Sequence, residues 1–197
     1  MTPNPPPSAK QQLRRQIGEA LSSISSSRSN SLSQAVCSRI LQMPEWQSAQ
    51  SILLFYPIFP ELNVLPLWQV AHDEAKTTYL PRYNPNTREY VAAKAPPPNQ
   101  ADQLIPGAFK IPEPAPTAPT AAGNRLDFIV IPGVGFCPDG RRLGRGGGFY
   151  DRLLAQLKGF RCGVAYDEQI VQELPTEPHD IRCDCILTPS AQWRRPS

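Results

Sequence analysis

The chain has 197 residues, of which 40% are hydrophobic and 19% charged, so it can form a globular domain with its own core. Its net charge of +3 gives no general attraction for nucleic acid, and any positive charge that matters for function must be local. No apolar run approaches the roughly 20 residues that cross a membrane, so the sequence predicts no membrane-spanning helix.

The N-terminal part of the chain predicts a lead followed by two helices. Residues 1–9 are rich in proline, and we expect them to form a flexible lead. Apolar residues then recur at helical spacing over residues 10–21, which predicts a helix. The serine-rich residues 22–31 predict a loop, and residues 32–43 predict a second helix that ends before Pro44.

Short apolar segments alternate with a helical pattern in the next part of the chain. Residues 51–58 form a continuous apolar run, typical of a strand that is buried on both faces, and residues 77–83 predict a second strand. Between them, residues 65–75 predict a helix with Pro66 in its first turn. This β-α-β order is typical of a parallel sheet.

A proline-rich loop interrupts this alternation. The chain contains 24 prolines, about 12% of its residues against roughly 5% in an average protein, and residues 94–123 are especially rich in them. Proline is excluded from helix interiors and central strands, so this segment is predicted to be a loop. Beyond it, the apolar residues 125–136, 160–166 and 183–189 predict strands, and residues 149–157 predict an amphipathic helix.

These elements predict a single domain of the α/β class. We expect three α/β/α layers around a mainly parallel, open, Rossmann-like sheet. The domain would cover residues 10–189 and contain the proline-rich loop 94–123, and residues 190–197 would form a C-terminal tail.

The cysteines and histidines do not suggest a metal site or a disulfide framework. The five cysteines are odd in number and have no C-x-x-C spacing, and neither of the two histidines belongs to a cluster of metal ligands. Free buried thiols in a reducing compartment fit this pattern, so we expect a cytoplasmic protein.

The segment "GRRLGRGGGFYDRLL" (140–154) contains five glycines and four arginines between a predicted strand and a predicted helix. Ligands of open α/β sheets bind at this end of the strands. Glycines let backbone N–H groups approach a ligand, the helix start adds free donors, and arginines match phosphate oxygens. The segment therefore predicts a phosphate site, and Asp151 beside it indicates a bridging Mg²⁺.

The glycine-arginine segment is also compatible with other roles. It is neither a P-loop nor a Rossmann fingerprint, because neither glycine spacing occurs in it. A glycine-rich turn can simply connect two elements, and Asp151 can simply complement the helix dipole. The run "GRGGGF" also resembles an RNA-binding RGG segment, although such tracts are typically repeated and this one occurs once.

The longer stretch "DFIVIPGVGFCPDGRRLGRGGGFYDRLL" (127–154) resembles the signature of the 5-formyltetrahydrofolate cyclo-ligases, also called methenyltetrahydrofolate synthetases. Other segments match this family in the same order. They are "KQQLR" (10–14), "YPIFPEL" (56–62), "YLPRY" (79–83), "GAFKIPEP" (107–114), "AYDEQ" (165–169) and "EPHDIRCDCILTP" (177–189). The resemblance covers residues 10–189.

The resemblance implies an ATP- and Mg²⁺-dependent ring closure. 5-Formyltetrahydrofolate would become 5,10-methenyltetrahydrofolate with release of ADP and phosphate, through a phosphorylated formyl group (an imidate). Mg²⁺ would be the cofactor, ATP the co-substrate, and the partners small molecules only, with no nucleic acid and no membrane. We expect a monomer. The alternatives are another ATP-dependent phosphotransferase or ligase of similar fold, or a nucleotide- or RNA-binding module.

The resemblance also assigns roles to individual residues. Those that would contact ATP are Lys10, Arg14, Arg142, Leu143, Gly144, Arg145, Gly146, Gly147, Gly148, Phe149 and Tyr150. Those that would contact the folate are Tyr56, Glu61, Arg145, Gly146, Gly147, Gly148 and Phe149. Asp151 and Asp184 match the magnesium positions, and Arg145 would be catalytic because it would lie nearest the transferred phosphate.

The sequence departs from the family pattern at a few positions. Gly147 stands where some members carry lysine, so one phosphate contact would be missing or supplied by Arg141. Asn63 and Val64 lack the carboxylate and hydroxyl that the family usually has there. We expect these changes to affect individual contacts and not the reaction.

Overall fold

The computed structural model describes residues 8–175 and 180–195. The α-helices among these residues are α1 (Ala9–Ser22), α2 (Ser26–Leu41), α3 (Pro44–Ser48), α4 (Leu65–Asp73) and α5 (Phe149–Gln156). The strands are β1 (Ser51–Leu53), β2 (Thr77–Asn84), β3 (Glu89–Lys94), β4 (Ile105–Pro106), β5 (Pro112–Glu113), β6 (Arg125–Ile131), β7 (Gly135–Phe136), β8 (Arg142–Leu143), β9 (Lys158–Val164), β10 (Cys185–Leu187) and β11 (Gln192–Arg194).

Within this described part, seven strands form one sheet in the order β11-β10-β9-β6-β1-β2-β3. Strands β2, β1, β6, β9 and β10 are parallel, and the edge strands β3 and β11 are antiparallel to their neighbours. The predicted single α/β domain with a mainly parallel sheet is therefore confirmed. The order places β1 and β6 near the centre, where their carboxyl ends can frame a ligand site.

Both faces of the sheet are covered by helices. Ile52 and Leu54 pack in a core cluster that also contains the buried residues of α1, α2, α3 and α4. Leu53 points to the other face and packs in a second cluster, which contains Leu153 and Leu154 of α5. Since side chains alternate along a strand, β1 is buried on both sides, and the sheet is the middle of three layers.

The serine-rich region was predicted wrongly as a loop. Helix α2 begins at Ser26, inside the segment 22–31, because the Ser25 side chain accepts a hydrogen bond from the Arg28 N–H (3.3 Å) and caps the helix. Serine is a favoured N-cap residue, and the helix then buries Val36 and Ile40. The helix is therefore held by its cap and its buried face.

The C-terminal end of the chain and the predicted strand at residues 51–58 differ from the expectations. Strand β1 covers Ser51–Leu53, the Leu54 N–H still donates to the Tyr79 carbonyl oxygen at 3.0 Å, and the following residues lead into the loop of the candidate site. The predicted tail 190–197 contains β11, which pairs with β10. Residues 1–7 of the predicted lead lie outside the described residues, and α1 begins at Ala9.

The proline-rich segment 94–123 packs against the sheet and is not a loop that extends into solvent. It contains strands β4 and β5, which pair with each other. Arg82 of β2 donates hydrogen bonds from Nη1 to the carbonyl oxygens of Ala115 (2.7 Å) and Ala118 (2.8 Å). The segment is thus fixed beside the end of β2 and can form a wall of a site.

The chemistry of the cysteines agrees with the sequence. All five are free and buried in the structure. In residues 8–175 and 180–195, no helix has the length and apolar character needed to cross a membrane.

Candidate active site

A cavity of about 480 Å³ opens at the carboxyl ends of β1 and β6. It is formed by the chain that follows β1, by Pro132 and Gly133 after β6, by the glycine-arginine loop (residues 144–148, between β8 and α5) and by the proline-rich segment. This volume is in the range of small-molecule binding sites, and the position is the one where open α/β sheets bind ligands.

Most of the predicted site residues line this cavity. They are Tyr56, Glu61, Arg142, Gly144, Arg145, Gly147, Gly148, Phe149, Tyr150 and Asp151. The predicted residues Lys10, Arg14, Leu143, Gly146 and Asp184 do not line it. The wall also includes residues that had no role in the sequence-based predictions, among them Pro81, Tyr90, Phe109, Ile111 and Glu113.

The glycine-arginine loop runs from β8 into the start of α5 beside the cavity. Gly148 is the N-cap residue of α5 and has a φ of 63°, a left-handed conformation that glycine adopts without steric cost. The first turn of α5 follows directly, so its free N–H groups and the positive end of the helix dipole lie at the cavity wall. This local arrangement is suited to an anion.

Arg145 reaches across the cavity to the loop that follows β1. Its Nη2 donates to Oε1 of Glu61 at 3.0 Å, and its Nε lies 3.3 Å from the same oxygen. The other carboxylate oxygen of Glu61 accepts from the Ile58 N–H at 3.0 Å. The Glu61 side chain is 13% exposed and that of Arg145 is 52% exposed, so the acid lies deeper in the site than the arginine. The contact joins the predicted phosphate residue to the predicted folate residue.

A second ion pair lies deeper in the cavity wall. Arg142 Nη2 donates to Oδ1 of Asp151 at 2.6 Å, and the Arg142 side chain is buried. Arg142 also lies 5.8 Å from the centroid of the Tyr150 ring, within reach of a cation–π contact. Asp151 is in the first turn of α5, where a carboxylate is favoured by the helix dipole.

The hydroxyl of Tyr150 is buried without a hydrogen-bond partner among the described residues. Burial raises the pKa of Tyr150 well above its ordinary value, so the hydroxyl keeps its proton at physiological pH. The residue lines the cavity. A buried hydroxyl without a partner is unfavourable by about 1–3 kcal/mol, and a ligand acceptor in the cavity would remove this penalty.

Aromatic rings form one side of the cavity. The ring centroid of Phe149 lies 5.7 Å from that of Tyr90, 5.8 Å from that of Phe109 and 6.1 Å from that of Tyr83. The sequence motif "GAFKIPEP" contains Phe109, and its match to the family was the available signal for this wall. The resemblance assigned no role to Phe109, so the part of this ring in the cavity was missed.

Helix α1 contacts the glycine-arginine loop from outside the cavity. Arg14 Nε donates to the carbonyl oxygen of Gly144 at 2.8 Å. Lys10 Nζ lies 3.2 Å from Oδ2 of Asp180. The structure thus brings Arg14 to the loop that was predicted to bind phosphates. The assignment of Lys10 and Arg14 to ATP stays a prediction.

The residue beside Gly147 is Arg152 and not Arg141. Arg141 donates to Asp139 Oδ2 and to the Leu174 carbonyl oxygen, both at 2.7 Å, and does not line the cavity. These bonds direct its guanidinium away from the cavity, and the alternative that Arg141 supplies the missing phosphate contact stays a prediction. Arg152 Nη2 lies 3.3 Å from the Gly147 carbonyl oxygen.

The two predicted magnesium ligands lie in different surroundings. Asp184 Oδ2 accepts from the Arg161 N–H at 2.9 Å, and its Oδ1 lies 3.2 Å from Arg195 Nη2. Its carboxylate therefore joins β9 to the C-terminal residues. Among residues 8–175 and 180–195, no group of three or more His, Cys, Asp or Glu side chains could hold a metal ion. The metal role of Asp184 stays a prediction.

The fold and the cavity define the class of protein, an α/β protein with a candidate ligand site at the carboxyl ends of a mainly parallel sheet. A model of the 5-formyltetrahydrofolate cyclo-ligase family matches residues 6–189. The chain is 31% identical to the 5-formyltetrahydrofolate cyclo-ligase of Escherichia coli, over 82% of this chain and 90% of that protein. It is 32% identical to the Haemophilus influenzae protein of the same name, over 90% of this chain and 96% of that protein. The chain belongs to the 5-formyltetrahydrofolate cyclo-ligase family, which confirms the resemblance.

Solved structures agree with this assignment. The structure of Aquifex aeolicus 5,10-methenyltetrahydrofolate synthetase superposes with a TM-score of 0.83 at 32% identity, covering 95% of this chain and 93% of that one. A 5,10-methenyltetrahydrofolate synthetase from Mycoplasma pneumoniae superposes with a TM-score of 0.73 at 24% identity, covering 92% of this chain and 99% of that one. The second likeness supports the fold alone.

Proposed function

We propose that this protein closes the ring of 5-formyltetrahydrofolate to give 5,10-methenyltetrahydrofolate, using ATP and Mg²⁺ and releasing ADP and phosphate. The observation that carries the proposal is the contact of 3.0 Å between Arg145 and Glu61 in one cavity. It joins a loop suited to phosphate to a carboxylate suited to the polar edge of a pterin. The two substrates would therefore meet between these residues.

The chemistry needs charge neutralisation more than a protein nucleophile. A formamide carbon is a poor electrophile because N5 donates into it. Transfer of the γ-phosphoryl group forms an O–P bond at the formyl oxygen and breaks the bond to ADP. N10 of the folate then attacks the activated carbon, the C–O bond breaks, and the N10 proton leaves with the phosphate. Positioning and electrostatic stabilisation dominate such transfers.

The chain supplies the groups that this reaction requires. Arg145 is a half-exposed cation at the cavity and would neutralise the negative charge that moves from ATP to the formyl oxygen. The first-turn N–H groups of α5 and the buried Arg142 would hold the remaining phosphate oxygens. Lys10 and Arg14 would complete the ATP site from α1, since Arg14 already contacts the loop at Gly144.

The residues present fit a magnesium ion that is held mainly by ATP. In phosphoryl-transfer sites Mg²⁺ usually takes one or two carboxylates and fills its other positions with phosphate oxygens and water. Asp151 lines the cavity, and Arg142 pairs with Oδ1 of its carboxylate. Asp151 would therefore hold the ion. When bound, Mg²⁺ would supply neutralisation of the phosphate charge.

The role of Asp151 predicts an altered metal requirement. Asp151→Asn keeps the shape of the side chain and removes its charge, so we expect the Mg²⁺ concentration for half-maximal activity to rise about tenfold, as for loss of one charged contact. Folate binding should be little changed. Asp139→Asn is the matched control, since Asp139 also pairs with an arginine (2.7 Å) but does not line the cavity. Coincident Mg²⁺ titrations of parent and Asp151→Asn would contradict the role.

The unpartnered hydroxyl of Tyr150 predicts opposite changes in stability and activity. Tyr150→Phe removes an unsatisfied buried group, so the free energy of unfolding should rise by about 1 kcal/mol, whereas kcat/KM should fall about tenfold with the lost ligand contact. Tyr166→Phe is the control, because its hydroxyl has a partner in Ser29 Oγ at 2.7 Å and its loss should destabilise the fold. Urea unfolding and steady-state kinetics measure both effects. A destabilised Tyr150→Phe protein would show that this hydroxyl is already paired.

The reaction itself is tested by the absorbance of the product. The methenyl bridge conjugates N5 and N10, so 5,10-methenyltetrahydrofolate absorbs in the near ultraviolet at mildly acidic pH. Purified protein with Mg²⁺ and 5-formyltetrahydrofolate should develop this band when ATP is added and not without it. Intact ATP binding without the band would favour another ATP-dependent enzyme of the same fold.

We also propose that the protein acts as a cytoplasmic monomer on small molecules alone. The buried free thiols support a reducing compartment. The molar mass in solution, measured by light scattering, tests the monomeric state against the 21.8 kDa of one chain.

A further inference from the structure

The turn between β4 and β5 holds its backbone in an unfavourable conformation beside the cavity. Phe109 and Lys110 have φ angles of 59° and 62°, which residues other than glycine rarely adopt. The Phe109 side chain lines the cavity and yet is 71% exposed. An exposed ring on a strained turn gains little for the fold, so its presence at a cavity suggests a binding role.

A buried carboxylate fixes this turn to the sheet. Glu113 of β5 is 4% exposed, and its Oε1 accepts from the Ala108 N–H at 3.2 Å. Its Oε2 accepts from the N–H of Tyr83, in β2, at 2.9 Å. Ala108 directly precedes Phe109, so the carboxylate connects the backbone at the base of the ring to a strand of the central sheet.

Gly107 leaves the space that this carboxylate occupies. Its φ of −93° and ψ of −158° are ordinary extended values that any residue can adopt. A Cβ at this position, however, would overlap the carboxyl group of Glu113. Glycine is therefore required here for packing and not for its backbone angles, and alanine would displace the carboxylate without removing it.

We propose that Glu113 and Gly107 are positioning residues that hold Phe109 as the outer aromatic wall of the folate site. The inference rests on the proposed function and extends it to a determinant of folate affinity. The Phe109 ring contacts the Phe149 ring at a centroid distance of 5.8 Å, so the two rings form a continuous aromatic surface. A planar ring of the folate packs on that surface, whereas the phosphates of ATP lie at the glycine-arginine loop.

The test separates the binding of folate from that of ATP. Phe109→Ala, Glu113→Gln and Gly107→Ala should each raise KM and the dissociation constant for 5-formyltetrahydrofolate about tenfold, an effect of the size expected for one aromatic contact. KM for ATP and the melting temperature of Phe109→Ala should stay near the parent values. Direct titration of the protein with 5-formyltetrahydrofolate, without ATP, provides a measurement that is independent of turnover.

A double variant tests whether Glu113 acts through Phe109. Once the ring is absent, Glu113→Gln should weaken folate binding no further, so the combined effect should equal that of Phe109→Ala alone. Gly18→Ala is the control for the glycine change, since a Cβ there meets no atom within 4 Å. Its folate affinity should equal that of the parent.

The failures of the two proposals are distinguishable. If the parent protein converts 5-formyltetrahydrofolate and Phe109→Ala binds it as tightly as the parent does, the aromatic wall is refuted and the proposed function stands. If the effects of Glu113→Gln and Phe109→Ala multiply in the double variant, the positioning role of Glu113 is refuted. If the parent itself neither binds nor converts the folate, the proposed function and this inference both fail.

Discussion

Replacing Arg145 by alanine is expected to lower kcat/KM by about a hundredfold or more, a loss of roughly 3 kcal/mol of transition-state stabilisation. The reason is that Arg145 is a half-exposed cation beside the loop suited to phosphate, where charge would move from ATP to the formyl oxygen in the proposed reaction. Its side chain is 52% exposed, so its contact with Glu61 adds little to the stability of the fold. The melting temperature should therefore remain close to that of the parent.

Two further variants make this prediction specific. Arg15→Ala is the control, because it removes an arginine of α1 whose side chain is 73% exposed and paired with Glu19. The activity of this variant should equal that of the parent. Arg145→Lys keeps the charge but loses the forked donor geometry, so its rate should fall between those of the parent and Arg145→Ala. A folded Arg145→Ala protein with near-parental kcat/KM would remove Arg145 from the catalytic step.

The parts of the site that consist of residues adjacent in sequence were predictable from local pattern. The glycine-arginine loop lies between a strand and a helix, and both the loop and its position at the strand ends follow from short-range patterns. Asp151 lies in the first turn of the same helix, so its proximity to the loop needed no tertiary information. Tyr56 and Glu61 were harder, since only the family motif pointed to them, and the structure places both in the cavity.

The parts that depend on distant contacts were not predictable from local pattern. The proline-rich segment looked like a loop, because proline excludes regular structure, and nothing local reveals that Arg82 and Glu113 attach it to β2. The edge strand β11 is only three residues long and forms by pairing with β10. The bonds from Asp184 to Arg161 and Arg195 also join separate segments of the chain.

Among the glycines of the segment 140–154, Gly140 is expected to be the one whose replacement by alanine destabilises the fold most. It lies in the turn between β7 and β8, with a φ of 90°. Its N–H donates to the Cys137 carbonyl oxygen at 2.9 Å, and its own carbonyl oxygen accepts from the Cys183 N–H at 2.8 Å. A Cβ at this position would overlap the carbonyl oxygen of Cys183, so the backbone itself would have to move.

Gly140→Ala should lower the free energy of unfolding by about 2–4 kcal/mol, because it combines an unfavourable backbone angle with displacement of a buried backbone hydrogen bond. The melting temperature should fall by about 10 °C for a chain of this size. Activity should fall as well, because the displaced turn leads directly into β8 and the pair formed by Arg142 and Asp151.

Urea unfolding of Gly140→Ala beside Gly18→Ala measures the effect against a matched substitution. Gly18 lies in α1 and a Cβ there meets no atom within 4 Å, so alanine should stabilise that helix by about 0.5–1 kcal/mol. The two substitutions add the same methyl group and should change the unfolding midpoint in opposite directions. If Gly140→Ala and the parent have equal unfolding midpoints, the Cys183 backbone moves aside without cost. In that case the turn does not fix the position of Arg142 at the cavity.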